Sequence, residues 1–351
     1  MELSESIREE ISMEVIKTLV SRFEKFPEDA SKNRNAPFHE AFLEAFKDKL
    51  DGKVSDIPFF ITLSSWLHGL NTTIGQTFFE KVANILFGGK KEEFTSGRNK
   101  ILKISSQQSI NISNLITKLS NDKEFKPNLQ KENEILFKED NSELIESIGF
   151  TADVFLEKED SIYAIEIKSV RPNSGEMRAE KEKILHGKAA LYRKYFGKKI
   201  NFFIGFPFDP TATDKELKIK DSCDKQRFID SCINMSKYFA VDEIMIANEL
   251  WDFLSGQKDT MNEIIKVINQ IATTGFENKF YMLCDPTKWG SDEYILQLRE
   301  WNLITEIEFI ENKSKIIDSS IKAQDILKRS CFKNDGNYDW KRACKLKCLI
   351  K

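Results

Sequence analysis

The sequence predicts an α/β protein, a mixed β-sheet flanked by helices, with helical segments before it and mixed structure after it. Three observations carry the prediction. Residues 151–157 and 161–170 read as strands, because Val, Phe, Ile and Tyr alternate with charged positions around a polar turn at Lys158-Glu159-Asp160. Residues 176–195 return to helical composition, and Ile200–Phe206 is again a strand that ends at Pro207. Strand, strand, helix, strand is the order of a sheet begun as a hairpin and continued by a helical crossover.

The remaining elements follow in order. Ile7, Ile11, Val15, Ile16 and Leu19 recur at helical spacing, so residues 1–50 open with one or two amphipathic helices. Asn71, Thr72 and Thr73 offer caps for a helix whose apolar stripe runs from Thr77 to Phe87, and Gly88-Gly89 stops it. Residues 90–148 are polar with few apolar runs and read as loops with short helices. A further strand is expected over 241–247 and a helix over 261–271. This divides the chain into an N-terminal helical region (1–60), a central core (61–275) and a basic, mixed C-terminal region (276–351).

The 351 residues, 27 of them Phe, are ample for a buried core. No run approaches the roughly 18 apolar residues of a spanning helix, and the acidic start (Glu2, Glu5, Glu9, Glu10) lacks the features of a signal peptide. A cytoplasmic protein with no membrane partner is expected. Cysteines 223, 232, 284, 331, 344 and 348 show no C-x-x-C pairing, and with three histidines they read as reduced thiols rather than a zinc site. The formal net charge is −3, yet Lys168–Lys199 holds ten Lys/Arg against three Glu, and Lys322–Lys351 nine against three Asp. Two basic segments in an otherwise acidic chain could face a phosphate backbone, although solvated helix faces have the same composition.

The chemistry concentrates in the hairpin. With Glu157 opposite Ile162, Phe155 faces Ala164 and Asp153 falls opposite Glu166, with Cβ atoms about 5 Å apart. Lys168, two residues further along the strand, joins them on the same face. Opposed carboxylates call for a cation, and hard oxygen ligands suit Mg²⁺, with Mn²⁺ able to substitute. A metal held by Asp153 and Glu166, with Lys168 beside the developing charge, is the logic of the D-x(n)-[D/E]-x-K nuclease core.

Three islands strengthen this reading: Glu166-Ile167-Lys168-Ser169-Val170-Arg171-Pro172-Asn173-Ser174-Gly175-Glu176, Gly205-Phe206-Pro207-Phe208-Asp209-Pro210-Thr211, and Glu249-Leu250-Trp251-Asp252-Phe253-Leu254-Ser255-Gly256. In that order, and with Leu70–Glu80 upstream, the chain resembles the TdeIII-like type II restriction endonucleases over about residues 60–275. The resemblance implies a restriction-endonuclease-like fold, Mg²⁺ dependence, and a homodimer acting on a short palindrome in double-stranded DNA, with a GGNCC-type target. It also implies a cognate DNA methyltransferase as a functional companion. Carried over by position, Asp153 and Glu166 are the metal ligands and Lys168 the lysine. Ala152 stands where the general nuclease signature has proline, a residue that does no chemistry.

Glu80, in the preceding helix, is a further catalytic candidate, weighed against an ordinary salt-bridged glutamate. Arg171, Asn173, Arg178, Lys181 and Lys188 are candidate DNA contacts, to phosphates before base edges. Glu134 could lie near the site but reads more simply as a surface residue, and His68 and His186 show no partner pattern. Trp251, Phe253 and Leu254 read as core, and Cys344 and Cys348 as one face of a basic helix. Two other functions share these residues: another nuclease of the same core acting in repair or recombination, and a DNA-binding protein that keeps the fold without catalysis. The intact Asp153, Glu166 and Lys168 set argues against the second.

Overall fold

A computed structural model describes residues 2–29, 37–50, 52–54, 56–96, 101–168, 174–212 and 224–350. The chain forms two compact units, one of Phe79–Ile264 with the N-terminal residues to Leu3, the other of Ser4–Phe78 with Ile265–Lys351. This grouping differs from a division into 1–60, 61–275 and 276–351, because the N-terminal and C-terminal helices pack on each other. The Glu9 carboxylate accepts hydrogen bonds from the Thr305 amide (2.7 Å) and hydroxyl (2.8 Å).

The helical unit begins with α1 (Glu5–Phe23), capped by Ser4, and continues with α2 (Pro37–Glu44), α3 (Lys47–Leu50) and α4 (Ile57–Thr73). The expected caps at Asn71–Thr73 do not act as caps. A π-helical segment, Ile74–Phe78, joins α4 directly to α5 (Phe79–Phe87), and Thr72 and Thr73 turn their hydroxyls back to carbonyls one turn earlier. Gly88, at φ +67°, ends the run as expected. In the C-terminal part, buried Arg342 donates to Glu306, which also accepts from the Tyr338 hydroxyl. Cys344 and Cys348 lie exposed on the helix Trp340–Ile350, and the five described cysteines are all free thiols.

The other unit is built on a five-stranded sheet of order β1-β4-β5-β6-β7: β1 Lys90–Phe94, β4 Phe150–Glu157, β5 Ser161–Ile167, β6 Lys199–Phe206 and β7 Ile244–Ile246. The β1–β4 and β4–β5 pairs are antiparallel, and β5–β6 and β6–β7 parallel. A second, two-stranded sheet pairs β2 (Lys103–Ser105) with β3 (Leu144–Glu146). The crossover from β5 to β6 is α8, Ser174–Lys194. It lies close on the sheet because Gly187 has no side chain; a Cβ there would come within 2.7 Å of the Phe202 ring. Met177, Ile184, Leu185, Ala189 and Ala190 of α8 are buried in the core that also holds Phe150, Ala164, Phe202 and Ile204 of the sheet. A ring cluster of Phe87, Tyr163, Phe203 and Phe253 joins the sheet to α5 and the helix Ala247–Ser255, which agrees with the core role expected for Trp251 and Phe253.

The segment read as loops is more ordered than its composition suggests. It holds α6 (Ser106–Asn121) and α7 (Leu129–Leu136) as well as β1, β2 and β3. Ser105 and Gln108 form a reciprocal capping box at the start of α6, and Ile112, Leu115, Ile116 and Leu119 make its buried stripe.

Candidate active site

The hairpin pairs in the expected register: Glu157 with Ile162, Phe155 with Ala164, and Val154 with Ile165. Beyond the last pair, Asp153 Oδ2 accepts the Ile167 amide at 2.9 Å, which fixes the carboxylate at the end of β5. The Lys168 amide donates to Gly205 O at 2.9 Å, so the ladder continues one residue past the strand and holds Lys168 beside Glu166.

On its other edge β4 is bulged. Lys90 pairs with Phe155 and Glu92 with Ala152, so Asp153 and Val154 together oppose the single residue Lys91. Asn84 of α5 takes up the displaced backbone, its side-chain amide donating to Asp153 O and Glu80 O, both at 2.8 Å. Helix, bulge and edge strand therefore meet at Asp153, and Glu80 stands one helical turn before Asn84.

Four carboxylates and three ammoniums converge here. Lys91 Nζ lies 2.8 Å from Glu80 Oε2 and 3.1 Å from Asp153 Oδ1. Lys168 Nζ lies 3.0 Å from Glu166 Oε1 and 2.9 Å from Glu180 Oε1, and Lys183 Nζ 2.9 Å from Glu166 Oε1 and 2.8 Å from Glu180 Oε2. Burial pushes the Asp153 carboxyl above its usual range, reinforced by the charge of Glu80. Glu166 is pushed up by burial and by Asp153, against the pull of Lys183 and Lys168. Burial disfavours charge on Lys168, but Glu166 and Glu180 outweigh it and hold the ammonium above its ordinary value. Glu180 is half-buried, which would raise it, but Lys183 and Lys168 outweigh that and bring it below the usual range.

The residues fit a hard divalent cation. Glu166 is 7% exposed, and its Oε2 is buried without a hydrogen-bond partner, an acceptor whose desolvation nothing in the protein offsets. Among the described residues no three Asp, Glu, His or Cys side chains form a ready cage. Two carboxylates are nevertheless the complement Mg²⁺ uses when water and substrate phosphate complete its shell.

Asp153, Glu166 and Lys168 thus come together, and Glu80 joins them through Lys91. The DNA-facing expectation for Lys181 and Lys188 does not hold. Both are buried, Lys181 Nζ 2.6 Å from Glu132 Oε2 and 2.7 Å from Glu243 Oε2, and Lys188 Nζ 3.2 Å from Glu243 Oε1. These charges are spent inside the protein, so they cannot meet a phosphate from this position. Arg178 is exposed; Arg171 and Asn173 lie outside the described residues. Glu134 is exposed and bonded to Gln130, and His68 is exposed. His186 is buried 3.4 Å from the Ser147 hydroxyl, with burial lowering its pKa. Sequence reasoning passed over Lys91, Glu180, Lys183 and Asn84. Glu180 and Lys183 carried a signal, three apart on a helix that follows the E-x-K strand; Lys91, inside Lys-Lys-Glu-Glu, carried none.

Comparison with known proteins adds two findings. A family model, "Type II restriction endonuclease, HinfI", matches residues 3–272. The type II restriction enzyme MjaII of Methanocaldococcus jannaschii is 40% identical over 371 aligned residues, which take in 99% of this chain and 97% of that protein. Both agree with the restriction-endonuclease reading of the motif islands, with HinfI as the family matched where the islands resemble TdeIII-like enzymes.

Proposed function

The chain belongs to the HinfI family of type II restriction endonucleases, and from that premise we propose that it hydrolyses double-stranded DNA at a fixed sequence, using Mg²⁺ held by Asp153 and Glu166. The observation that carries the reading is the orphaned Glu166 Oε2 beside Asp153, with Lys168 on the other oxygen of the same carboxylate. This is a D-x(n)-[D/E]-x-K site in which the hairpin register brings the two acids together.

Divalent metal at these carboxylates would polarise the scissile phosphate and make a bound water acidic enough to attack near neutral pH. Lys168, charged throughout the working range and anchored by Glu180, sets a fixed positive charge where negative charge builds on the phosphate. Glu180 and Lys183 orient that pair from α8. Arg178, exposed on the first turns of the same helix, is the candidate contact to the DNA backbone.

One such centre per chain suits a homodimer in which each subunit cuts one strand of a two-fold symmetric site. A cognate methyltransferase would protect the same sequence. Among the described residues no helix is long and apolar enough to cross a membrane. The test is digestion of a long DNA of known sequence with Mg²⁺, with and without chelator, followed by sequencing of the ends. One recurring site is expected, with GGNCC the first to examine. Scattered ends, or intact DNA with both Mg²⁺ and Mn²⁺, would sink the proposal.

A further inference from the structure

We propose that Lys91 is a displaceable internal cation, whose ammonium holds Glu80 and Asp153 together in the metal-free protein and withdraws when a divalent cation binds Asp153. The inference rests on the reading of Asp153 and Glu166 as metal ligands and adds a resident competitor to it.

Asp153 Oδ2 is committed to the Ile167 amide, so Oδ1 is the oxygen left for a cation, and Lys91 Nζ lies 3.1 Å from it. The same ammonium lies 2.8 Å from Glu80 Oε2. It bridges two carboxylates from different elements, as a metal ion would. Glu166 Oε2, the other available oxygen, has no hydrogen-bond partner. A metal joining Asp153 to Glu166 therefore meets Lys91 at Asp153 Oδ1 and no hydrogen-bond donor at Glu166 Oε2, while Lys168 and Lys183 stay on Glu166 Oε1.

Charge balance points the same way. Glu80, Asp153, Glu166 and Glu180 stand against Lys91, Lys168 and Lys183, which leaves one excess negative charge. Withdrawal of Lys91 raises the excess to two, the charge a divalent cation neutralises. The Lys91 side chain is 44% exposed, against 21% for Lys168 and 22% for Lys183, so its stem can swing to water while the two α8-side lysines stay enclosed. Its position opposite the bulge of β4, on an edge strand, leaves that path open.

The experiment titrates the full chain with Mn²⁺ without DNA, reading free Mn²⁺ by electron paramagnetic resonance, alongside thermal melting with and without the metal. Lys91→Met should bind Mn²⁺ about tenfold more tightly than the wild type, because a competing charge-assisted contact is gone. It should melt lower without metal and match the wild type at saturation. Lys91→Arg, whose fork grips both carboxylates, should bind several-fold more weakly. Lys91→Gln gives the same reading as Met should that variant fail to fold. Asp153→Asn should lose Mn²⁺ binding altogether. Unchanged or weaker affinity in the Met and Gln variants, with Asp153→Asn still blocking the metal, would make Lys91 a permanent strut and overturn the proposal. Wild-type Mn²⁺ binding by Asp153→Asn would instead remove the metal reading, and this inference with it.

Discussion

Helix α8 carries two clusters of lysine and glutamate on different sides, and they differ in what they leave over. Lys181 and Lys188 meet Glu132 and Glu243 in a buried tetrad of two charges against two; Glu243 also accepts the Ala240 amide, at 3.0 Å. Glu180 and Lys183, on the same helix, enter a partly open cluster with one carboxylate in excess, in which Glu166 Oε2 has no hydrogen-bond partner. The neutral, satisfied set locks α8 to α7 and to the segment before β7. The unsatisfied one has capacity for a ligand. Residue type is the same in both, so burial and stoichiometry separate structure from chemistry.

The contrast breaks most visibly at the open cluster. Glu166→Gln or Asp153→Asn should cut single-turnover cleavage about 10⁴-fold, ~5.5 kcal/mol at the transition state. Melting temperature should hold or rise, since these carboxyls are pushed up in the fold and their ionised forms are a cost. A drop in stability matching the loss of activity would merge the two clusters into one structural network.

At the tetrad the outcome reverses. Lys181→Met should destabilise the protein by about 3–5 kcal/mol in urea, because it leaves buried carboxylates unpaired. Protein still folded at low temperature should cleave normally. The tetrad also sets an acid limit. Burial would raise Glu243, but Lys181 and Lys188 outweigh it and bring the pKa from 4.5 to about 2. A depressed carboxylate contributes stability in full above its unfolded pKa and loses it as pH falls through the folded one, so this contribution fades between about pH 4.5 and 2. Glu132, raised by burial, works the other way, so Glu243→Gln isolates the effect and should flatten that part of a stability–pH curve. An unchanged curve would deny the tetrad this role.

Smaller effects sharpen the picture. Lys168→Ala should cost about a hundredfold in cleavage, ~2.7 kcal/mol, with DNA affinity nearly kept. Equal losses in rate and affinity would make Lys168 a backbone contact. The smallest change belongs to Arg178→Ala, which should lower the slope of log affinity against log salt by about one and leave the cleavage rate alone. An unaltered slope would take Arg178 off the DNA.

How far the sequence discloses this arrangement depends on how local each contact is. The period of two and the short turn at Lys158-Glu159-Asp160 determine which residues face each other in β4 and β5, so Asp153, Glu166 and Lys168 are legible as a set. Lys181 and Lys188 are not, since a helix rich in lysine reads as solvated until Glu132 and Glu243 arrive from distant segments to cover it. The bulge escapes for another reason. It depends on Asn84 receiving the Asp153 carbonyl, a partnership between a helix and a strand that no spacing rule encodes. In α6 the signal was present, as Ser105 and Gln108 at capping-box spacing, but the many polar residues around Ile112 and Leu115 masked it.

The strand that presents Lys91 also bounds the sheet. Among the described residues β1 is one edge, and its Lys90-Lys91-Glu92-Glu93 run fills that edge with charge of both signs. The opposite edge, β7, is three residues long and fully buried. A flat, apolar edge invites another chain to add a strand; a short or charged one refuses it. Neither edge of this sheet offers another chain a flat, apolar strand to extend, so the carboxylates are mounted on a sheet closed to strand addition.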